Sequence, residues 1–262
     1  MTAPVVASQF LAGPRSKLHI LRCGAQGAPV FFLPGNGGRA SQWERQLAFL
    51  GERHQGVALD LRGMGASDAP WDGDYSVGGL ADDVAAVADH FQLQRFFLVG
   101  HSLGASVAAC FAGRFPHRLL GLILVDYGGD PRNDSPEELS SLMNGLAPAN
   151  FEGFAKEAME TCLRGAKPQV AAQVLADLEA TPRTSFAGAV LGLLDFDPAA
   201  ALAIDSGRKL RIYSPFLEEL GLVPIHERVR GIESRGIPDC SHWVHLDCPD
   251  AFNETLLEFL ES

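Results

Sequence analysis

The stretch that most constrains this 262-residue chain is Phe96-Phe-Leu-Val-Gly100-His-Ser102-Leu-Gly104-Ala. An apolar run meets a Gly-x-Ser-x-Gly turn and passes straight into an alanine-rich segment, residues 102–115. The run predicts a strand at 95–99 covered on both faces, and the alanines predict a helix. The chain must reverse sharply between the two. That forces Ser102 into a strained backbone conformation, and glycines at 100 and 104 let the strand and helix pass closely. The hydroxyl then stands above the C-terminal edge of a sheet, with the free N–H groups and positive dipole end of a helix beneath it.

The same alternation recurs along the chain. Apolar runs at 29–33, 56–60 and 119–125 predict strands; 41–50, with Ser41 as N-cap, and 77–91 carry helical patterns. Alternating buried strands and helices specify βαβ units and a mostly parallel sheet. Two short segments ahead of them, 5–11 and 17–22, flank Gly13-Pro14 and predict a strand pair near a sheet edge. From 130 to 203 the pattern changes. Residues 137–146, 151–164, 169–179 and 185–194 are helical in composition, with no convincing strand among them, which predicts a helical cap inserted into the sheet domain. The core is then 1–129 and 204–262. Strands resume at 209–213 and 231–237 around a short helix near 224–230. Residues 250–260 close as an amphipathic helix with Phe252, Leu256, Leu257 and Leu260 on one face.

Composition narrows the function. Lys and Arg number 21 against 32 Asp and Glu, a net charge of −11. That excludes a protein that neutralises nucleic-acid phosphates, and it disfavours docking to an anionic membrane. No apolar run reaches the roughly 20 residues of a membrane span, and the first ten residues lack the basic and apolar regions of a signal peptide. The five cysteines (Cys23, Cys110, Cys162, Cys240 and Cys248) are scattered without a CxxC pair, so free thiols and a cytoplasmic protein are expected. No metal site is evident, and Gly35–Gly38 lacks the Lys and Ser/Thr of a phosphate cradle.

The Gly100–Gly104 turn and its strand–helix context resemble the α/β-hydrolase superfamily, and three further blocks extend the resemblance over nearly the whole chain. Leu33-Pro-Gly35-Asn36-Gly-Gly is similar to that family's oxyanion-hole loop, although many members have His where this chain has Pro34. Asp60-Leu-Arg-Gly63-Met-Gly65-Ala-Ser67-Asp resembles its loop after the fourth strand, and Ser241-His242-Trp-Val-His245-Leu-Asp-Cys-Pro249 its histidine loop. The resemblance implies a mostly parallel eight-stranded sheet flanked by helices, with Ser102 as nucleophile and His242 as base. It also implies an oxyanion hole from the backbone N–H groups of Asn36 and Leu103, and a structural role for His245. His101 reads as a local hydrogen-bonding group, Arg62 and Asp68 as loop-fixing residues, and Trp43 as a packing residue.

The acid is less direct. Most family members carry it after the strand that follows the cap, where this chain has Phe216 and Leu217, with Glu218 and Glu219 next. An apolar side chain there cannot orient an imidazole. Asp126 ends the strand after the nucleophile's helix and can reach the same histidine. Zearalenone-type lactonases, some haloalkane dehalogenases and the cofactor-free quinolone dioxygenases use that position. Asp126 leads, and Glu218 or Glu219 stays open.

The expected activity is that of a serine esterase or lactonase needing no cofactor. The alternatives are a carbon–carbon bond hydrolase of vinylogous diketones, a cofactor-free dioxygenase or, outside catalysis, a ligand receptor. The dioxygenases flank their serine with histidines on both sides, where this chain has His101 and Leu103, and a haloalkane dehalogenase needs Asp in place of Ser102. Trp243 with Met143 and Phe154 of the cap are the expected pocket residues. Phe151, Met159, Phe186 and Phe196 add to an apolar cap that suits a small apolar ester or lactone. A monomer or homodimer is expected.

Overall fold

The computed structural model describes residues 5–205, 207–219 and 229–262. Eight strands form one sheet: β1 (Ala7–Ala12), β2 (Lys17–Cys23), β3 (Pro29–Leu33), β4 (Gln55–Leu59), β5 (Phe96–His101), β6 (Leu119–Val125), β7 (Lys209–Tyr213) and β8 (Ile232–Gly236). Their order is β1-β2-β4-β3-β5-β6-β7-β8. β1 and β2 run antiparallel at one edge, and every pair from β4 to β8 is parallel. β5 and β6 lie centrally, which is why both read as nearly unbroken apolar runs.

Side-chain alternation divides the core in two. Phe31, Phe96, Leu98, Leu122 and Leu124 face α2 (Val77–His90) and α3 (Leu103–Arg114), whereas Phe32, Phe97, Val99, Ile123 and Val125 face α1 (Glu44–Leu50) and the C-terminal helix. Each such buried side chain contributes about 1.5–3 kcal/mol. The helix expected from Ser41 begins instead as a 3-10 turn, Ala40–Trp43, with no side-chain cap, and Trp43 is buried in the second core face.

Between β6 and β7 lie α4 (Pro136–Leu146), α5 (Phe151–Cys162), α6 (Pro168–Glu179), α7 (Arg183–Leu194) and α8 (Pro198–Ile204). α4 starts at a capping box in which Ser135 Oγ accepts the Glu138 N–H at 3.2 Å. α8, unmarked in the sequence pattern, is capped by Asp197 and sends Leu202 into the same core face as α3. It packs with the sheet-flanking layer, although its residues 198–203 fall within the span expected to form the cap. Past β7 come the short helices α9 (Pro215–Glu219) and α10 (Val244–Asp247) and the closing α11 (Pro249–Glu261), with Phe252, Leu256 and Leu260 in the core. Most of the short helix expected near 224–230 lies outside the described residues. Among the described residues no single helix is long and apolar enough to cross a membrane.

Candidate active site

Strand register sets the site. Leu33 of β3 pairs with Gly100 of β5, His101 with Val125 of β6, and Val125 with Ile212 of β7. Gly35, Ser102, Asp126 and Ser214 therefore leave the sheet side by side at its C-terminal edge. Main-chain bonds carry the ladder one step further: Ser102 N–H donates to the Val125 carbonyl at 3.0 Å, and Asp126 N–H to the Ile212 carbonyl at 2.8 Å.

Both residues sit where side chains rarely do, Ser102 at φ 52° and ψ −115° and Asp126 at φ 43°. Each such conformation costs about 1–3 kcal/mol. The turn at Ser102 needs its flanking glycines: a Cβ on Gly100 would lie 2.1 Å from the Gly104 carbonyl oxygen, and one on Gly104 would lie 2.6 Å from that of Leu33.

The Asp126 carboxylate is fully buried and well supplied with donors. Its Oδ1 accepts the Ser214 N–H at 2.7 Å, its Oδ2 accepts the Ser214 hydroxyl at 2.9 Å, and Oδ2 lies 2.7 Å from His242 Nδ1. A carboxylate only accepts, so Nδ1 carries a proton, and the neutral ring then has its lone pair on Nε2. The backbone of His242 is pinned as well: its N–H donates to the Cys162 carbonyl at 3.2 Å, and its carbonyl accepts from His101 Nε2 at 2.9 Å. His101 thus bonds across 141 residues rather than locally. Burial, then the nearness of His242 and His245, holds His101 well below the ordinary histidine range, so it stays a neutral donor. His245 lies flat on the Trp43 ring, centroids 3.9 Å apart, and burial pushes its pKa down to about 3.

The Gly35–Gly38 turn is closed by Gly38 N–H on the Gly35 carbonyl at 3.1 Å, with Gly37 at φ 73°. Asn36 Nδ2 donates to the Phe186 carbonyl at 3.2 Å. Leu103 opens α3, where the first N–H groups have no intrahelical acceptor.

Ser102 and His242 share a cavity of about 530 Å³ lined also by Phe154, Cys162, Phe216 and Leu217. A smaller one of about 280 Å³ opens on the other side of Ser102 beside Leu103 and Tyr127. Phe154 is thus in the lining, but two expected pocket residues are not. Met143 is 50 % exposed, because α4 turns the stripe Leu139, Leu142 and Leu146 inward. Trp243 is buried in the cap's own apolar cluster with Met159, Val170, Val174 and Phe186, its ring against His242 and His101. Glu219 is exposed, and the Glu218 side chain lies outside the described residues. Ser214 is the residue that sequence reasoning missed. Its one signal is its place just past the end of β7, one residue beyond the position opposite Asp126. Among the described residues no group of three or more His, Cys, Asp or Glu is set to hold a metal ion.

The family model described as "alpha/beta hydrolase fold" matches residues 28–183. The chain belongs to the α/β-hydrolase fold family. Protein ABHD8 of Bos taurus is 31% identical over 258 residues, covering 90% of this chain and 57% of that protein. The chain thus spans a little over half the length of the curated relatives it matches first. A thermophilic esterase from Thermogutta terrifontis superposes with a TM-score of 0.81 at 23% identity, covering 99% of this chain and 98% of the other. The enol-lactonase from Burkholderia xenovorans LB400 gives 0.81 at 21% identity, covering 97% and 100%. These two likenesses speak to the α/β-hydrolase fold, and the matched span 28–183 holds Asn36, Ser102 and Asp126 while His242 lies beyond it.

Proposed function

We propose that this α/β-hydrolase is a serine hydrolase that cleaves a small apolar carboxylic ester or lactone through Ser102, His242 and Asp126. A serine hydroxyl is a weak nucleophile until a base stands within reach. His242 Nε2 takes the Ser102 Oγ proton as Oγ bonds to the substrate carbonyl carbon. The imidazolium that forms is balanced by Asp126. The tetrahedral oxyanion is met by the backbone N–H groups of Asn36 and Leu103, each such donor contributing about 2.7–4 kcal/mol in a measured case. Collapse breaks the C–O bond to the leaving oxygen, which takes the proton back from His242; in a lactone that oxygen stays tethered to the acyl group. Water, deprotonated by His242, then releases the acid and restores Ser102. The chain and water supply every atom and proton in this sequence, so it calls for no cofactor.

The observation that carries the reading is the 2.7 Å contact between His242 Nδ1 and an Asp126 carboxylate already held by both Ser214 donors. The apolar wall of Phe154, Phe216 and Leu217 supports an apolar substrate. The test is turnover of p-nitrophenyl esters and simple lactones by wild type, Ser102→Ala and His242→Ala. Each variant is expected to lose at least about 10⁴-fold in kcat. Retained activity in Ser102→Ala, or a wild type inert on short and medium esters and on lactones, overturns the reading and turns attention to vinylogous diketones.

A further inference from the structure

One cap helix touches both loops that frame the site. At the start of α6, Lys167 N–H donates to Asp247 Oδ1 at 2.8 Å, and the Lys167 ammonium donates to the Asp247 carbonyl. Asp247 Oδ2 in turn accepts the Ser241 N–H at 2.9 Å and its hydroxyl at 2.5 Å, immediately before His242. Near the far end of α6, Asp177 is 6% exposed. Its carboxylate accepts from Gln42 Nε2 at 2.8 Å and lies 2.7 Å from Arg39 Nε, both in the stretch that continues the Gly35–Gly38 turn. Thr181, two residues past α6, shares its one hydroxyl proton between the Asp177 carbonyl at 2.8 Å and the Gly37 carbonyl at 3.3 Å.

A lid needs only apolar side chains to exclude water. Burying a carboxylate costs free energy that its partners must offset, so Asp177 is out of place in a simple lid. The turn it faces explains it. Three of the four residues Gly35-Asn36-Gly37-Gly38 are glycine, the residue with the widest backbone freedom. One internal hydrogen bond, Gly38 N–H to the Gly35 carbonyl, closes such a turn but does not fix where it sits over the site, whereas an oxyanion donor has to stand within about 2.7–3.1 Å of the oxygen it serves. The placement has to come from ties outside the turn.

We infer that α6 is a strut fixing the oxyanion loop relative to the histidine loop, with Asp177 as the positioning residue for the Asn36 N–H; this rests on the serine-hydrolase reading. Asp177 does not touch the reacting atoms. It acts through Arg39 and Gln42, with Thr181 as the second tie.

The experiment compares Asp177→Asn and Thr181→Val with wild type in kcat, KM and affinity for an alkyl trifluoromethyl ketone. The adduct of that ketone with Ser102 places an oxyanion in the hole. Thermal melts of each variant run alongside. Asp177→Asn is expected to lower kcat about tenfold or more while KM stays within about twofold, since small displacements of a positioned group cost rate rather than ground-state binding. Ketone affinity falls in proportion. Thr181→Val, nearly isosteric, moves both quantities the same way by about threefold and carries the test if Asp177→Asn fails to fold. Losses confined to KM, or wild-type kcat and ketone affinity in the folded variants, overturn the strut while an inactive Ser102→Ala leaves the serine-hydrolase reading standing. An active Ser102→Ala overturns both.

Discussion

The two halves of this site are built by different means. Ser102 and Asp126 are the first residues past β5 and β6, and strand register with main-chain bonds to Val125 and Ile212 puts them there. Asn36 and His242 sit in loops held through distant partners: Phe186 and Thr181 on one side, His101, Cys162 and Lys167 on the other. The difference teaches where each half is vulnerable. Exchanging a side chain on the strand-placed half is expected to leave its backbone in place and to fall first on the chemistry. On the loop-placed half, one remote side chain shifts the geometry.

Among changes that keep the nucleophile, the largest effect expected on the strand-placed half is from Asp126→Asn. An amide offers His242 Nδ1 the wrong polarity on one of its two ends, and the comparable change in a serine protease costs about 10⁴-fold in kcat. Glu218→Gln is expected to stay near wild type in the same p-nitrophenyl ester assay; a crippled Glu218→Gln with an active Asp126→Asn would move the acid to the end of β7. Ser214→Ala comes next. It removes the hydroxyl donor at 2.9 Å and leaves the N–H donor at 2.7 Å. Losing a hydrogen bond to a charged group is expected to cost about 1.5–3 kcal/mol in urea unfolding, with a smaller drop in kcat. Unchanged stability would mean that the Ser214 main-chain N–H and His242 hold the carboxylate without the hydroxyl.

A third prediction concerns acid stability. His245, with its pKa pushed down to about 3, is neutral when folded and takes a proton more readily when unfolded. Its contribution is therefore complete above the unfolded histidine pKa of about 6.5 and declines as pH falls from there toward the folded value, by at most about 1.4 kcal/mol per pH unit. His101 is shifted in the same direction. His245→Phe, which keeps a ring on Trp43, is expected to lose less stability than wild type between pH 7 and pH 5 in urea melts. Equal slopes would exclude His245 as a source of the acid sensitivity. The smallest effect contrasts two cap residues: Phe154→Ala is expected to raise KM several-fold for a medium-chain ester, at roughly 1–3 kcal/mol of lost apolar contact at most, whereas the exposed Met143→Ala leaves KM unchanged.

How much of this was legible in the sequence follows the same division. The apolar runs of β3, β5 and β6, the glycines at 100 and 104 and the place of Asp126 at a strand end are local signals, because covered strands and sharp turns constrain the residues that form them. The partner of His101 lies 141 residues away and that of Asp126 in Ser214 lies 88, and no local pattern encodes a hydrogen bond across such a distance. Met143 shows a different limit. Its spacing fits an apolar stripe on α4, but only packing decides whether Leu142 or Met143 faces in. α8 leaves no local signal because seven residues are too few for helical periodicity to stand out.

The carboxylate beside His242 is that of Asp126, just past β6, while Phe216 and Leu217, past the end of β7, face the larger of the two cavities at Ser102. On the proposed reading, substrate range and proton transfer are written in separate parts of the chain. A combinatorial library at Leu217 can reshape the wall of that cavity, whereas Phe216, whose ring centroid lies 5.7 Å from that of His242, also packs against the base. Retuning this protein toward bulkier or smaller substrates then starts at Leu217 as a problem in shape, while each change at Phe216 also alters the packing on the base.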